Sequence, residues 1–143
     1  MKLDELYAKL DPWAPYVLSV LRIMAGLLFL QHGMQKLFDF PPNPEAASPP
    51  LLSLIGLAGL IELIGGGLVT VGLFTRVSAL ILSGEMAFAY FMAHASQGFM
   101  PIDNGGDLAV LFCFVFFYLV FAGPGLWSVD AIMKADTPRT HQA

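Results

Sequence analysis

The sequence predicts an all-α, polytopic membrane protein: a bundle of four transmembrane helices preceded by a short N-terminal interfacial helix. Three observations predict it. The 143 residues are 57% hydrophobic and only 13% charged, and mean hydropathy is +0.70; a soluble domain of this size has too little interior to hide so much apolar side chain. Four long apolar stretches occupy about residues 16–38, 51–74, 77–95 and 108–122, against the roughly 20 residues that a helical span needs. Turn-forming segments separate them, so residues 1–143 read as a single membrane domain with no room for a soluble one.

The N-terminal helix comes first. Leu3, Leu6, Tyr7 and Leu10 fall at i, i+3, i+4 and i+7, one apolar stripe with Lys2, Asp4, Glu5 and Lys9 mostly off it. Pro12 is expected to end this helix, and Trp13 and Tyr16 suit the headgroup level, so it should lie on the membrane surface. Acidic residues and the lack of a small-residue cleavage site argue against a secretory signal.

At 100° per residue, the first span gathers Ser19, Arg22, Ala25, Gly26, Phe29, His32, Gly33 and Lys36 on one face. Leu21, Met24, Leu27, Leu28 and Leu30 lie opposite, so polar and small residues turn inward and leucines toward lipid. Asp39 to Pro50 holds five prolines and cannot continue the helix. In the second span Glu62 has Ala58, Gly59, Gly65 and Gly66 one turn away on either side, which lets another helix approach closely and buries the acid. The run Gly65-Gly66-Gly67 weakens the helix by about 1 kcal/mol per residue relative to alanine, unless close packing offsets it or the helix bends there.

Thr75-Arg76 leaves a tight hairpin before the third span, which carries Glu85 and His94. Ser96 to Gly106, with Pro101 and the turn sequence Asp103-Asn104-Gly105-Gly106, leads to the fourth. That span is short, but Phe112, Phe114, Phe116, Phe117 and Phe121 make it strongly apolar; Cys113 reads as a packing residue. Gly123-Pro124-Gly125 stops it, Trp127 marks an interface, and the polar ending from Lys134 is expected to fray.

Basic residues set the orientation. Lys2, Lys9, Arg76, Lys134 and Arg139 fall on one side; Lys36 falls on the other with Asp39, Glu45, Asp103 and Asp107. The positive-inside rule puts both termini in the cytoplasm of a multi-pass inner-membrane protein.

Ionisable residues inside spans face a partner or a wet cavity, since a central Arg or Asp costs about 2.5–3.5 kcal/mol in hydrocarbon. Arg22 and Glu85 lie roughly 9 and 12 Å from the inner ends of their spans, so an Arg22–Glu85 pair joined by Glu62 is the expected intramembrane ion network. His32, Lys36, His94, Asn104 and Asp107 lie toward the outer surface, where a second polar cluster could form. Each has a plainer reading. Lys36 snorkels to the interface, Asp107 and Asn104 cap the fourth span, and His94 is solvated. The ion network has a purely structural role open to it as well. Two histidines at similar depth could ligate haem, but no HxxxH, HxxE or CxxCH run exists and no metal ligand set is expected. Hydrolase motifs, phosphate loops and nucleic-acid patches are absent.

In this order the motifs resemble the DoxX family of small four-helix membrane proteins. LRIMAGLLFLQHGMQKLF resembles its Arg…Gly-hydrophobic…His-Gly…Lys-Leu opening, and GLAGLIELIGGGLVTVGLFTR its second signature. Glu85-Met86-Ala87, His94, Gly98-Phe99, Asn104-Gly105-Gly106-Asp107 and GPGLWSVD follow. The resemblance implies the four-helix fold and an association with redox systems, since the family takes its name from membrane subunits of archaeal thiosulfate:quinone or quinol oxidoreductases. The resulting expectation is an accessory or quinone-interacting subunit with His32, Lys36, His94 and Asp107 as candidate quinone-binding residues and Glu62 or Glu85 relaying protons. No cofactor is evident from the residues alone, so electrons would come from redox-enzyme partner subunits or from a bound cofactor. The lipid bilayer is the other partner; homo-oligomerisation is left open. A small-solute or proton transporter is the alternative, although no inverted repeat is visible. A non-catalytic scaffold for soluble redox enzymes is another.

Overall fold

The computed structural model describes residues 2–44 and 49–136; Glu45, Arg139 and the polar ending beyond 136 lie outside the described residues. The short helix α1 spans Leu3–Leu10 and the first membrane helix, α2, spans Ala14–Phe38. Pro12 does not separate them. Asp11–Trp13 form a tight 3₁₀ turn, and the chain stays helical from Leu3 to Phe38. Proline is tolerated there because it occupies the start of the turn, where its missing N–H has no helical partner to lose.

The second membrane helix, α3 (Leu54–Val71), starts where the Ser53 hydroxyl accepts the Gly56 amide at 3.1 Å and ends at Gly72, whose φ of 72° suits glycine. Helix α4 (Thr75–Ala89) continues through a π turn at Tyr90–His94 and a 3₁₀ turn at Ala95–Gln97. The outer connection contains a one-turn helix, α5 (Pro101–Asn104), where the sequence suggests only a turn. Helix α6 (Asp107–Ala122) is the fourth span, and α7 (Val129–Ala135) follows it. Helix α7 is not foreseen in the sequence, although Ser128 caps it by accepting the Ala131 amide. The four expected spans thus stand within a few residues of their predicted limits.

The spans pack in the ring order α2, α3, α4, α6. Glycine sets the α2–α3 seam: a Cβ on Gly26, Gly33 or Gly66 would come within 2.5–2.7 Å of the facing helix. Gly26 and Gly33 stand about two turns apart on α2, the first against Gly66 and Thr70 and the second against Gly59 and Leu63, so the two backbones touch along one line. Gly65 faces Leu82 of α4 instead. The triple glycine therefore serves close packing on two sides, and α3 runs through it unbroken. Phe29, Phe112 and Phe116 join α2 to α6, with ring centroids 4.8–5.8 Å apart. The Ser83 hydroxyl donates to the Cys113 carbonyl and ties α4 to α6. Leu21, Met24, Leu27 and Leu28 are exposed on the outside of α2, as a lipid-facing surface requires.

Candidate functional site

The ionisable residues inside the spans separate into two groups, one at each end of the bundle. At the hairpin end Arg22 is fully buried. Its guanidinium donates to the carbonyls of Val69 and Thr70 at the end of α3, to Pro124 at 2.7 Å, and to Trp127. Carbonyls at a helix C-terminus lack intrahelical donors and carry the negative end of the dipole, and a planar fork of five N–H groups can reach several at once. Arg76 does the same for α6, donating to Val120 and Phe121. Asp130 of α7 caps α4, accepting the amides of Phe74 and Thr75 at 2.9 Å each. Burial pushes the Asp130 carboxyl up, but hydrogen bonds from Thr75 and Phe74 and the nearby charge of Arg22 outweigh it and hold it below the usual carboxylate range. The ends of α3, α4 and α6 at this side are thus each closed by a charge from another element. Arg22 belongs to this architecture.

The expected Arg22–Glu62–Glu85 network is therefore corrected: Arg22 is taken up by backbone carbonyls, and the cation beside Glu62 is Lys36. The Lys36 ammonium lies 2.6 Å from Glu62 Oε1; the Lys36 side chain is 32% exposed and that of Glu62 only 3%. Snorkelling to the outer surface is overturned for a geometric reason. Side chains of an α-helix lean toward its N-terminus, and for Lys36 that direction runs back into the bundle. Gly59 completes the path, because a Cβ there would meet the Lys36 Cβ at 2.9 Å. The lysine stem crosses α3 over Gly59 and reaches Glu62 almost one turn further on.

Lys36, Glu62, Glu85 and His94 line one cleft of about 620 Å³ between α3 and α4. Its floor is apolar: Leu57, Ala58 and Ile61 from α3, Ile81 and Phe88 from α4, and Met92 from the π turn. Leu57, Ile61, Ile81, Phe88 and Met92 are also exposed on the outer surface, so the cleft opens sideways toward lipid. Gly84 belongs to its wall, and a Cβ there would meet nothing within 4 Å. The volume falls in the range of small-molecule sites, about 300–1,000 Å³.

Polar atoms in this cleft are left incomplete. Glu62 Oε2 and both carboxyl oxygens of Glu85 are buried without a hydrogen-bond partner, each a loss of about 1–3 kcal/mol if nothing meets it. His94 reaches the cleft through the π turn. Counted from Glu85 at 100° per residue, it would fall on the opposite side of a regular helix; a π turn takes more residues per revolution and brings it back. Its Nδ1 lies 3.0 Å from the Asn104 carbonyl. His94 is thus held by a hydrogen bond, where the sequence suggests a solvated ring.

Asn104 organises the outer loop. Its amide nitrogen donates to the Gly98 carbonyl and its Oδ1 accepts the Gly106 amide at 2.8 Å, while the Tyr90 hydroxyl donates to the Phe99 carbonyl. Gly106, not Asn104, precedes α6 as its N-cap residue, and no side chain caps that helix. Asp107 stands exposed in its first turn, away from the cleft. His32 is likewise apart: it is exposed, with its ring edge-on to Phe29 and Phe112 at 6.4 Å. Of the four candidate quinone-binding residues, the fold brings Lys36 and His94 to the cleft and leaves His32 and Asp107 outside it. Gly84 and Asp130 went unnoticed in the sequence; an acid following the Gly-Pro-Gly stop was the one available hint of the latter.

Fold and site together define a four-helix integral membrane protein with a polar-walled cleft open to the bilayer. The chain belongs to the DoxX family, which matches residues 17–95. A Haemophilus influenzae protein described as uncharacterized is 44% identical over 129 residues, covering 85% of this chain and 93% of that one. A Mycobacterium tuberculosis protein described as an uncharacterized membrane protein is 31% identical over 137 residues, covering 81% of this chain and 80% of its own. No solved structure matches the chain.

Proposed function

We propose that this protein is the membrane subunit of a redox system and takes up a lipid-soluble quinone in the cleft between α3 and α4. The observation that carries the reading is the set of unpartnered Glu62 and Glu85 oxygens on the wall of a laterally open, otherwise apolar cavity. A quinone is an apolar tail with a small head that makes a few hydrogen bonds, and it enters from the bilayer rather than from water. Bound there, it exchanges two electrons and two protons with its surroundings. Lys36, Glu62, Glu85 and His94 would orient the head, and the carboxylates would accept or return protons at their buried oxygens. Electrons would reach the quinone from a partner subunit or a bound cofactor. Lys2, Lys9, Arg76 and Lys134 support a cytoplasmic hairpin end in an inner membrane, which sets the cleft in the outer half.

Thermal unfolding of the protein in lipid nanodiscs, with and without a short-tailed benzoquinone in both oxidation states, tests this. We expect a rise in midpoint that saturates with ligand, and its loss in Gly84→Trp, where the indole fills the cleft without meeting a neighbouring atom at Cβ. The same midpoint with and without ligand in both oxidation states would remove the reading.

A further inference from the structure

We propose that the cleft selects the reduced form of its ligand, a quinol over a quinone. This rests on the reading above and goes one step further, to the hydrogen-bonding character of the head. The two forms have nearly the same shape but opposite demands: quinone carbonyls only accept hydrogen bonds, whereas quinol hydroxyls also donate them.

The wall of the cleft offers mainly acceptors. Its polar side chains are those of Lys36, Glu62, Glu85 and His94. Glu62 Oε2, Glu85 Oε1 and Glu85 Oε2 are buried and unpaired, and Glu62 as a whole is 3% exposed. The Lys36 ammonium is drawn onto Glu62 Oε1 at 2.6 Å. His94 adds a fourth acceptor by elimination. The Asn104 carbonyl 3.0 Å from its Nδ1 can only accept, so Nδ1 carries the proton and Nε2 of the neutral ring does not. A donating head therefore completes the site. A head that only accepts leaves the buried oxygens unmet and finds donors only in the N–H groups that Lys36 does not give to Glu62. Sites built around a hydroxyl discriminate strongly against the analogue that lacks it, because the site's own polar groups are then stranded.

The experiment is a pair of anaerobic titrations of the full chain in nanodiscs, with decylubiquinol under a reductant and with decylubiquinone. We expect the quinol to bind at least tenfold more tightly. In Glu85→Gln the amide supplies N–H donors in the same volume, and the preference should shrink at least threefold while total binding persists. Equal or tighter binding of the quinone overturns the inference and leaves the quinone reading standing; binding of neither removes both. A preference unchanged in Glu85→Gln overturns the assignment of Glu85. A long-chain primary amine also carries donors, and if it binds as tightly as the quinol, selection of a quinol falls.

Discussion

Asp130 shows how a single carboxylate holds the hairpin end together. It accepts the Phe74 and Thr75 amides and so stabilises Phe74 in the left-handed region, at a φ of 48°, which costs a non-glycine residue about 1–3 kcal/mol. Its carboxyl is held below the ordinary range, so the folded state binds that proton less readily than the unfolded chain does. The stability it contributes is then complete above about pH 4, the unfolded value, and is lost as pH falls through the folded one. Asp130→Asn should lower stability by about 1 kcal/mol at neutral pH, as for loss of a helix cap. It should also flatten the fall in unfolding midpoint below about pH 4; a midpoint-against-pH series in detergent from pH 7 downward reads both. Arg22 illustrates the reverse lesson. A buried arginine with glutamates on neighbouring spans invites an ion pair, yet its guanidinium is taken up by the Val69 and Thr70 carbonyls at the end of α3 and by those of Pro124 and Trp127.

Helix pairs are governed by which glycines face a backbone. Gly66 and Gly67 are neighbours in sequence, but a Cβ on Gly66 would lie 2.7 Å from the Leu30 amide nitrogen, whereas one on Gly67 meets nothing nearer than 3.7 Å. Gly66→Ala should therefore destabilise the protein by about 1–3 kcal/mol through overpacking. Gly67→Ala and Gly84→Ala should each stabilise it by up to about 1 kcal/mol through helix propensity. Chemical unfolding of the three variants side by side checks the sign at each position; a stabilised Gly66→Ala would mean that the α2–α3 seam is looser than described. The π turn acts at the same scale. By changing the rotation of the last turns of the third span it carries His94 to the cleft side, and the same turn places Tyr90 beside the loop held by Asn104.

The whole molecule is polarised along its axis: interlocked caps close the hairpin end, and an incomplete polar cleft occupies the loop end. Orientation then decides which side of the membrane the cleft lies nearer. In a Cys113→Ser background, Asp103→Cys should react with an impermeant maleimide added outside intact spheroplasts, and Asp4→Cys only after lysis. The opposite pattern would turn the molecule over and set the cleft in the inner half. Much of this was legible in the sequence. Apolar length fixes the four spans, because only a helix lets a single segment satisfy its own backbone groups inside a bilayer. Periodicity gives most of the buried face of α2, where Ser19, Arg22, Ala25, Gly26, Phe29 and Gly33 are buried while His32 of the same predicted face is exposed and Lys36 part-exposed, and glycine spacing marks a close helix seam. What only the tertiary structure decided is which polar groups meet. Pairing depends on ring order, on the lean of each side chain and on one irregular turn, none of which leaves a periodic signal. For that reason Lys36, read as an interfacial lysine, becomes the partner of Glu62, while Arg22, read as the partner of Glu85 in a network joined by Glu62, serves the end of α3.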